Sequence, residues 1–308
     1  MNRPALEVAG ASRRFGDTPA LDGVDLSVAP GEWVALLGAN GAGKTTLMRA
    51  IADRVALDAG SIRLAGNPAG SPEARERLGI VPQRIAIYPH LSVRENLAVF
   101  ARIHGVPPAR LQERVSEALD WTRLEDRASD AAGTLSGGMQ RRLNIACGIL
   151  HEPALVLMDE PTVGLDVPSR EQIHRLLSDL RHRGVAILES THELETVEAS
   201  CDRVLIMRAG QVLASGTVGQ LAQAGRLTRH RCRVTLASEP AGVQLPAGFR
   251  LHGRRIEGQV ASIAADLATL LEAISDAGLE VVEVSVDPPD LEDVFVHFTG
   301  EPVAERPS

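Results

Sequence analysis

No stretch of this 308-residue sequence approaches the roughly 18 uninterrupted apolar residues that a membrane-spanning helix needs. If the chain works at a membrane, another chain must supply the membrane part. No apolar run follows Met1–Asn2–Arg3–Pro4, so no signal peptide is expected. Cysteine is scarce: Cys147, Cys201 and Cys232 are scattered, form no CxxC pair and have no histidine cluster beside them. That argues against a disulfide framework or a structural zinc site. It points to a reducing compartment, with each thiol a small core residue. An excess of positive charge is missing too. The formal net charge is -8, which argues against a chain whose main business is coating nucleic acid. What is present is ordinary for a soluble globular protein, 44% hydrophobic and 23% charged residues.

The apolar runs come in pieces of strand length. Leu6–Phe15 and Ala20–Val28 read as short strands broken by Gly16 and Asp22–Gly23. Trp33–Leu37, Leu155–Met158 and Val185–Leu188 are compact apolar runs suited to strands buried on both faces of a parallel sheet. Helical spacing marks Thr45–Arg54, Glu95–His104, Ala109–Leu119 and Ser169–Arg181. Strands alternating with helices predict a parallel α/β sheet with right-handed crossovers. Near Gly225 the character changes: the arginine-rich connector Arg226–Arg233 leads to a strand-like Cys232–Leu236, a helix-like Ala265–Ala277 and an alternating Leu279–Val286. These predict a small α/β accessory domain.

Three segments carry chemistry. Gly38–Ala39–Asn40–Gly41–Ala42–Gly43–Lys44–Thr45 has the spacing GxxxxGK[ST], between a strand and a helix. Glycines let backbone N–H groups turn in around phosphate oxygens, and the helix start adds partial positive charge. Lys44 can reach the β- and γ-phosphates, and the Thr45 hydroxyl can bind Mg²⁺. Leu155–Met158 delivers Asp159 and Glu160 to a strand end, where ligands bind in open α/β sheets. Asp159 is placed to hold Mg²⁺, and Glu160 to polarise an attacking water. Leu135–Arg141 puts Ser136 and two glycines before a helical stretch, Met139–Leu150, as either a second anion-binding helix start or a plain N-cap.

In that order the three segments resemble the phosphate loop, signature motif and Asp–Glu strand of ABC-type ATPases. Gln83 after Val81–Pro82 resembles the glutamine that touches Mg²⁺ and water, and Gly164–Asp166 the loop that crosses to a partner. His192 after Ser190–Thr191 resembles the histidine that contacts the γ-phosphate. Phe15 stands where the family usually has a tyrosine stacked on adenine, and a phenyl ring keeps that face. The resemblance implies a P-loop cassette over residues 1–225, with a mixed sheet core, a helical lobe over Arg84–Glu125 and an antiparallel β lobe; residues 226–308 would be the accessory domain. It implies ATP and Mg²⁺, with nucleotide contacts also from Asn40, Gly41, Ala42, Gly43 and Thr46. It implies a head-to-tail homodimer in which one subunit's Gly38–Thr45 loop and the other's Ser136 and Gly138 enclose each ATP. Lys44, His192 and Glu160 would carry catalysis.

The tail Pro288–Phe295, closing with Thr299–Gly300, resembles drug-exporter ATPases of the daunorubicin-resistance type. Those work with a separately encoded membrane permease, so the expected place is the cytoplasmic face of a membrane. A non-transport ABC ATPase acting on ribosomes or DNA is the alternative, opposed by the single cassette and the lack of sustained heptads. An importer is another, since the chemistry is identical. Glu189 departs from the family's apolar strand residue: it is either solvated at the strand end, the favoured reading because unpaired burial is costly, or a partly buried carboxylate needing a partner. Arg141–Arg142 reads as a solvated helix face. His90, His104, His151, His174 and His182 read as isolated surface or packing residues.

Overall fold

The computed structural model describes residues 3–192, 194–240 and 242–300, with only the backbone at Glu195. The chain divides between Ser215 and Gly216, ahead of the 225/226 boundary expected from the connector. The reason is a helix, Val218–Ala224, whose partner in packing is the last helix of the second unit.

The first unit has two sheets. β1 (Leu6–Phe15), β2 (Thr18–Val28), β4 (Ala59–Leu64) and β5 (Asn67–Pro68) form an antiparallel sheet in the order β2-β1-β4-β5. The second sheet is built on β3 (Trp33–Leu37), β6 (Leu78–Val81), β7 (Leu155–Asp159), β8 (Ala186–Ser190), β9 (Arg203–Arg208) and β10 (Gln211–Gly216), in the order β10-β9-β3-β8-β7-β6. β9, β3, β8, β7 and β6 pair in parallel. β10 returns through a turn at Ala209–Gly210, both at positive φ (49° and 81°), the backbone that tight hairpins demand.

The three apolar runs expected as doubly buried strands are β3, β7 and β8, at the middle of this sheet. Alternate residues serve opposite faces, as a period of two requires. Leu155, Leu157 and Leu188 join the core shared with β1, β2 and helix α1 (Lys44–Ile51). Val156, Met158 and Ile187 join Trp33 and helix α6 (Val167–His182) on the other side.

After the short α2 (Pro72–Arg75), a helical lobe of α3 (Val93–Ile103), α4 (Leu111–Thr122) and α5 (Gly137–Ile149) has its own core around Leu97, Leu119 and Leu143. A capping box of Ser92 and Glu95 starts α3. The 3₁₀ turn Pro108–Arg110 occupies the start of the expected Ala109–Leu119 helix, because a proline pair precedes it. His104 and His151 are not isolated. Their rings stack at 4.2 Å between centroids, and His151 Nε2 donates to the Leu78 carbonyl at 3.1 Å. His174 likewise stacks on Trp33, at 5.8 Å. The unit's last helix is α7 (Leu194–Ser200).

The second unit begins with α8 (Val218–Ala224). Its sheet of β11 (His230–Leu236), β12 (Phe249–His252), β13 (Arg255–Val260) and β14 (Val281–Asp287) runs in the order β12-β13-β11-β14. Helix α9 (Ile263–Asp276) seals the core through Leu270 and Ile274. α10 (Leu291–Thr299) starts at a box in which Asp290 and Asp293 cap each other's backbone. No helix among the described residues is long and apolar enough to cross a membrane.

Candidate functional site

The glycine-rich loop joins β3 to α1, and packing dictates its glycines. A Cβ at Gly38 would lie 2.5 Å from the Met207 carbonyl; one at Gly43, which sits at φ 106°, would lie 2.6 Å from that of Ala20. Gly43 is the N-cap of α1 and brings no side-chain acceptor, and the first turn has no acidic residue. The first N–H groups of α1 therefore lack a side-chain cap and suit a bound anion. Asn40, Gly41 and Thr45 are exposed at the rim, Thr46 is half-buried and Ala42 is buried. Lys44 folds back so that Nζ donates to the carbonyls of Gly38 and, at 3.1 Å, Ala39. Burial pulls its ammonium below the usual lysine range, against the opposing pull of Glu160 and Asp159. Those two carboxylates thus act on the lysine from the end of β7.

Glu160 is the centre of a second cluster. Its Oε2 accepts from Gln83 Nε2 at 2.6 Å, and its Oε1 lies 3.0 Å from His192 Nδ1. Ser190, the last residue of β8, donates through Oγ to Asp159 Oδ1. Glu160 sits at φ 45°, a left-handed backbone that costs a non-glycine residue roughly 1–3 kcal/mol. Its N–H donates to the Ser190 carbonyl at 2.9 Å, which helps hold the turn.

Arg141, read from the sequence as part of a solvated face, is instead buried at 3% exposure. Its guanidinium donates to the carbonyls of Pro161 (2.7 Å), Pro82 (2.6 Å), Gln83 (3.1 Å), Asp159 (3.2 Å) and Glu160 (3.1 Å). One side chain thus clamps the backbone under Gln83 to the strained turn at Glu160. Burial lowers its pKa to about 10, with Glu189 and Asp159 pulling the other way, so it stays charged at neutral pH. A signal was available: α5 is buried on nearly every side from Gly138 to Gly148. A helix without a polar face leaves no solvated place for an arginine.

For Glu189 the favoured reading is corrected and the other, a buried carboxylate with a partner, holds. It is 2% exposed, not at a solvated strand end. Alternation turns it to the Trp33 face of the sheet, where its Oε2 accepts from Trp33 Nε1 at 2.9 Å. A buried indole N–H needs an acceptor, and this carboxylate supplies it.

The signature residues stand elsewhere. Ser136 is exposed and caps α5, its Oγ accepting from Met139 N at 3.3 Å. A Cβ at Gly138 would lie 2.4 Å from Ser169 Oγ, so the glycine lets α5 and α6 approach. Phe15 ends β1 as an exposed residue, with the Arg13 guanidinium 5.0 Å from the centre of its ring.

Comparison with known proteins decides the family. The ABC transporter family model matches residues 21–163. The Nod factor export ATP-binding protein I of Rhizobium sp. (strain N33) is 36% identical over 307 residues, 97% of this chain and 98% of that protein. The chain belongs to the ABC transporter family. A second ABC relative, the daunorubicin resistance ATP-binding protein DrrA3 of Streptomyces coeruleorubidus, is 34% identical and covers 96% of each chain. A solved ATP-binding subunit of an ABC transporter superposes with a TM-score of 0.66 at 33% identity, over 72% of this chain and 94% of that one. The P-loop ABC cassette expected from the motifs is the fold observed, and the cassette binds and hydrolyses ATP.

Proposed function

We propose that this chain is the ATP-hydrolysing subunit of an exporter, driving substrate through a separately encoded permease from the cytoplasmic face of a membrane. Coverage carries the export reading: the similarity to ATP-binding proteins of export and resistance runs through 96–97% of the chain, beyond the ABC family match at residues 21–163.

The chemistry follows from the two clusters. ATP lies in the Gly38–Thr45 loop, with Asn40, Gly41, Ala42, Gly43 and Thr46 along its phosphates and Phe15 against the adenine. Lys44 exchanges its two loop carbonyls for phosphate oxygens, a better partner for a half-buried ammonium. Glu160 takes the proton of the attacking water. Gln83 and His192, both bonded to that carboxylate, orient it and reach toward the γ-phosphate. The donor set fits Mg²⁺, which takes one or two carboxylates plus phosphates and water: Thr45 and Asp159 would hold it, with Gln83 beside it. When bound, it neutralises charge building on the β- and γ-oxygens. The exposed Ser136 and the helix start at Gly137–Gly138 close the site from a second copy of the chain, which makes the working unit a homodimer.

Affinity purification of the chain from detergent-solubilised native membranes tests this reading. The expected outcome is a co-purifying complex with a higher ATPase rate than the free subunit. Recovery of ribosomes without a membrane protein would favour the non-transport alternative.

A further inference from the structure

The hairpin of β1 and β2 turns beside the glycine-rich loop. Thr18 pairs with Phe15 across it. Two residues further on, the Ala20 carbonyl packs on Gly43, 2.6 Å from where a Cβ would stand. Gly210 fastens the same corner. Its carbonyl accepts from Asp22 N at 2.9 Å, and its N–H donates to the Ala42 carbonyl at 2.9 Å. The exposed Phe15 is thereby carried on backbone fixed against the phosphate loop.

The cation on that ring is held from several sides. The Arg13 guanidinium lies over the Phe15 ring, 5.0 Å from its centre, and its Nη1 donates to Asp58 Oδ1 at 2.9 Å. Asp58 is fixed in turn: Oδ2 accepts from Arg14 N at 2.7 Å, and its own N–H donates to the Ser12 carbonyl at 2.8 Å. Asp58 thus ties down three successive residues, Ser12, Arg13 and Arg14. The β1–β2 register also shifts on both sides of Arg13, at Ala11–Arg13 and at Arg13–Arg14, the kind of irregularity that re-aims a side chain.

The plain explanation is a surface ion pair, which contributes little. It accounts for Nη1 and leaves the rest of the group unexplained. Arg13 Nε is buried without a hydrogen-bond partner, and the guanidinium covers an aromatic face instead of turning to water. An aromatic ring is negative on both faces, so it attracts a cation and resists a second ring stacked squarely on it. A cation on one face draws charge towards itself and makes the opposite face a better platform for a base. It also stops the ring from turning.

We propose that Arg13 is a positioning residue for the nucleotide base: held by Asp58, it fills one face of Phe15 and presents the opposite face to the adenine. This rests on the reading of Phe15 as the adenine contact.

The test is equilibrium binding to the full chain, by calorimetry with Mg²⁺, of ADP and of inorganic pyrophosphate, which lacks the base. Arg13→Gln should weaken ADP about two- to fivefold, the scale of an exposed cation–π contact, and leave pyrophosphate unchanged. Arg13→Lys, which keeps a cation, should recover part of the loss. Phe15→Leu should weaken ADP at least about fivefold, and on that background Arg13→Gln should have no further effect. Unchanged ADP affinity in Arg13→Gln overturns the proposal. So does equal weakening of ADP and pyrophosphate, which marks a general attraction for phosphate, or an effect that persists without the ring. If Arg13→Gln is silent while Phe15→Leu still weakens ADP, the adenine contact stands and only the role of Arg13 falls. If Phe15→Leu is silent as well, the adenine contact falls with it.

Discussion

Replacing Arg141 by alanine should damage both the fold and the catalytic turn, to a degree set by its five carbonyl partners. Hydrogen bonds to a charged group contribute roughly 1.5–3 kcal/mol each, but five cannot be summed, because burying the guanidinium is itself costly. Loss of a buried polar network of this kind costs about 3–5 kcal/mol. Arg141→Lys keeps the charge but offers three donors on a point-like ammonium, which cannot span carbonyls from Pro82 to Pro161; about half the loss should remain. The left-handed backbone at Glu160 should then relax, so kcat falls at least tenfold while ATP affinity changes little. Urea unfolding followed by tryptophan fluorescence is the assay. Trp33 and Trp121 both belong to the first unit, so the signal is free of the second. Turnover is measured where all variants are folded. An alanine variant within about 1 kcal/mol of wild type, with kcat within twofold, would refute the clamp.

Other consequences follow from single contacts. Glu189→Gln keeps an acceptor for Trp33 and should cost under about 1 kcal/mol, whereas Glu189→Leu strands the indole N–H and should cost about 1–3 kcal/mol with a blue-shifted emission; equal costs would deny the bond its role. Burial foremost, with His104 and Arg114 adding, holds the His151 ring at about 4, below its ordinary 6.5. His151 thus folds neutral and must take up a proton on unfolding below pH 6.5. Stability is constant above that value and falls by about 2–3 kcal/mol as the pH drops to 4. His151→Asn should flatten that slope in acid unfolding curves, and an unchanged slope would contradict the assignment. Lys44 is the only lysine in the sequence, and burial, which lowers its pKa, makes its amine more reactive than that of a fully solvated lysine. An amine-directed label read by peptide mass should land there and be blocked by ATP; labelling that ignores ATP would remove Lys44 from the phosphate site.

Much of the fold was legible because the central strands are apolar without interruption. β3, β7 and β8 could be read directly, and with them the strand-end positions of Gly38, Asp159 and His192. β4 escaped notice because Gly60 and Ser61 break its pattern and only Ile62 and Leu64 are buried. β9 and β10 hide behind Arg203, Arg208 and the Ala209–Gly210 turn. The two compact units part ahead of the expected 225/226 boundary because α8, inconspicuous beside the arginine-rich connector, packs within the second unit. In the site, the motif residues could be named but the supports could not. Arg141 and Glu189 are charged residues whose burial depends on carbonyls and an indole brought from distant segments. A polar residue's place inside or outside is settled by such partners, which spacing along the chain does not reveal.

The central claim is that each ATP is hydrolysed between two chains, by Glu160 of one and Ser136 of the other. Mixing two inactive variants tests it most directly. Ser136→Arg and Glu160→Gln should each abolish steady-state turnover while still binding ATP. In a one-to-one mixture, half of the dimers pair the two variants, and each such dimer has one intact site. Turnover should therefore return to about a quarter of the wild-type rate if the two sites fire independently. Wild-type turnover by Ser136→Arg alone, or a mixture as silent as its components, would contradict the shared site.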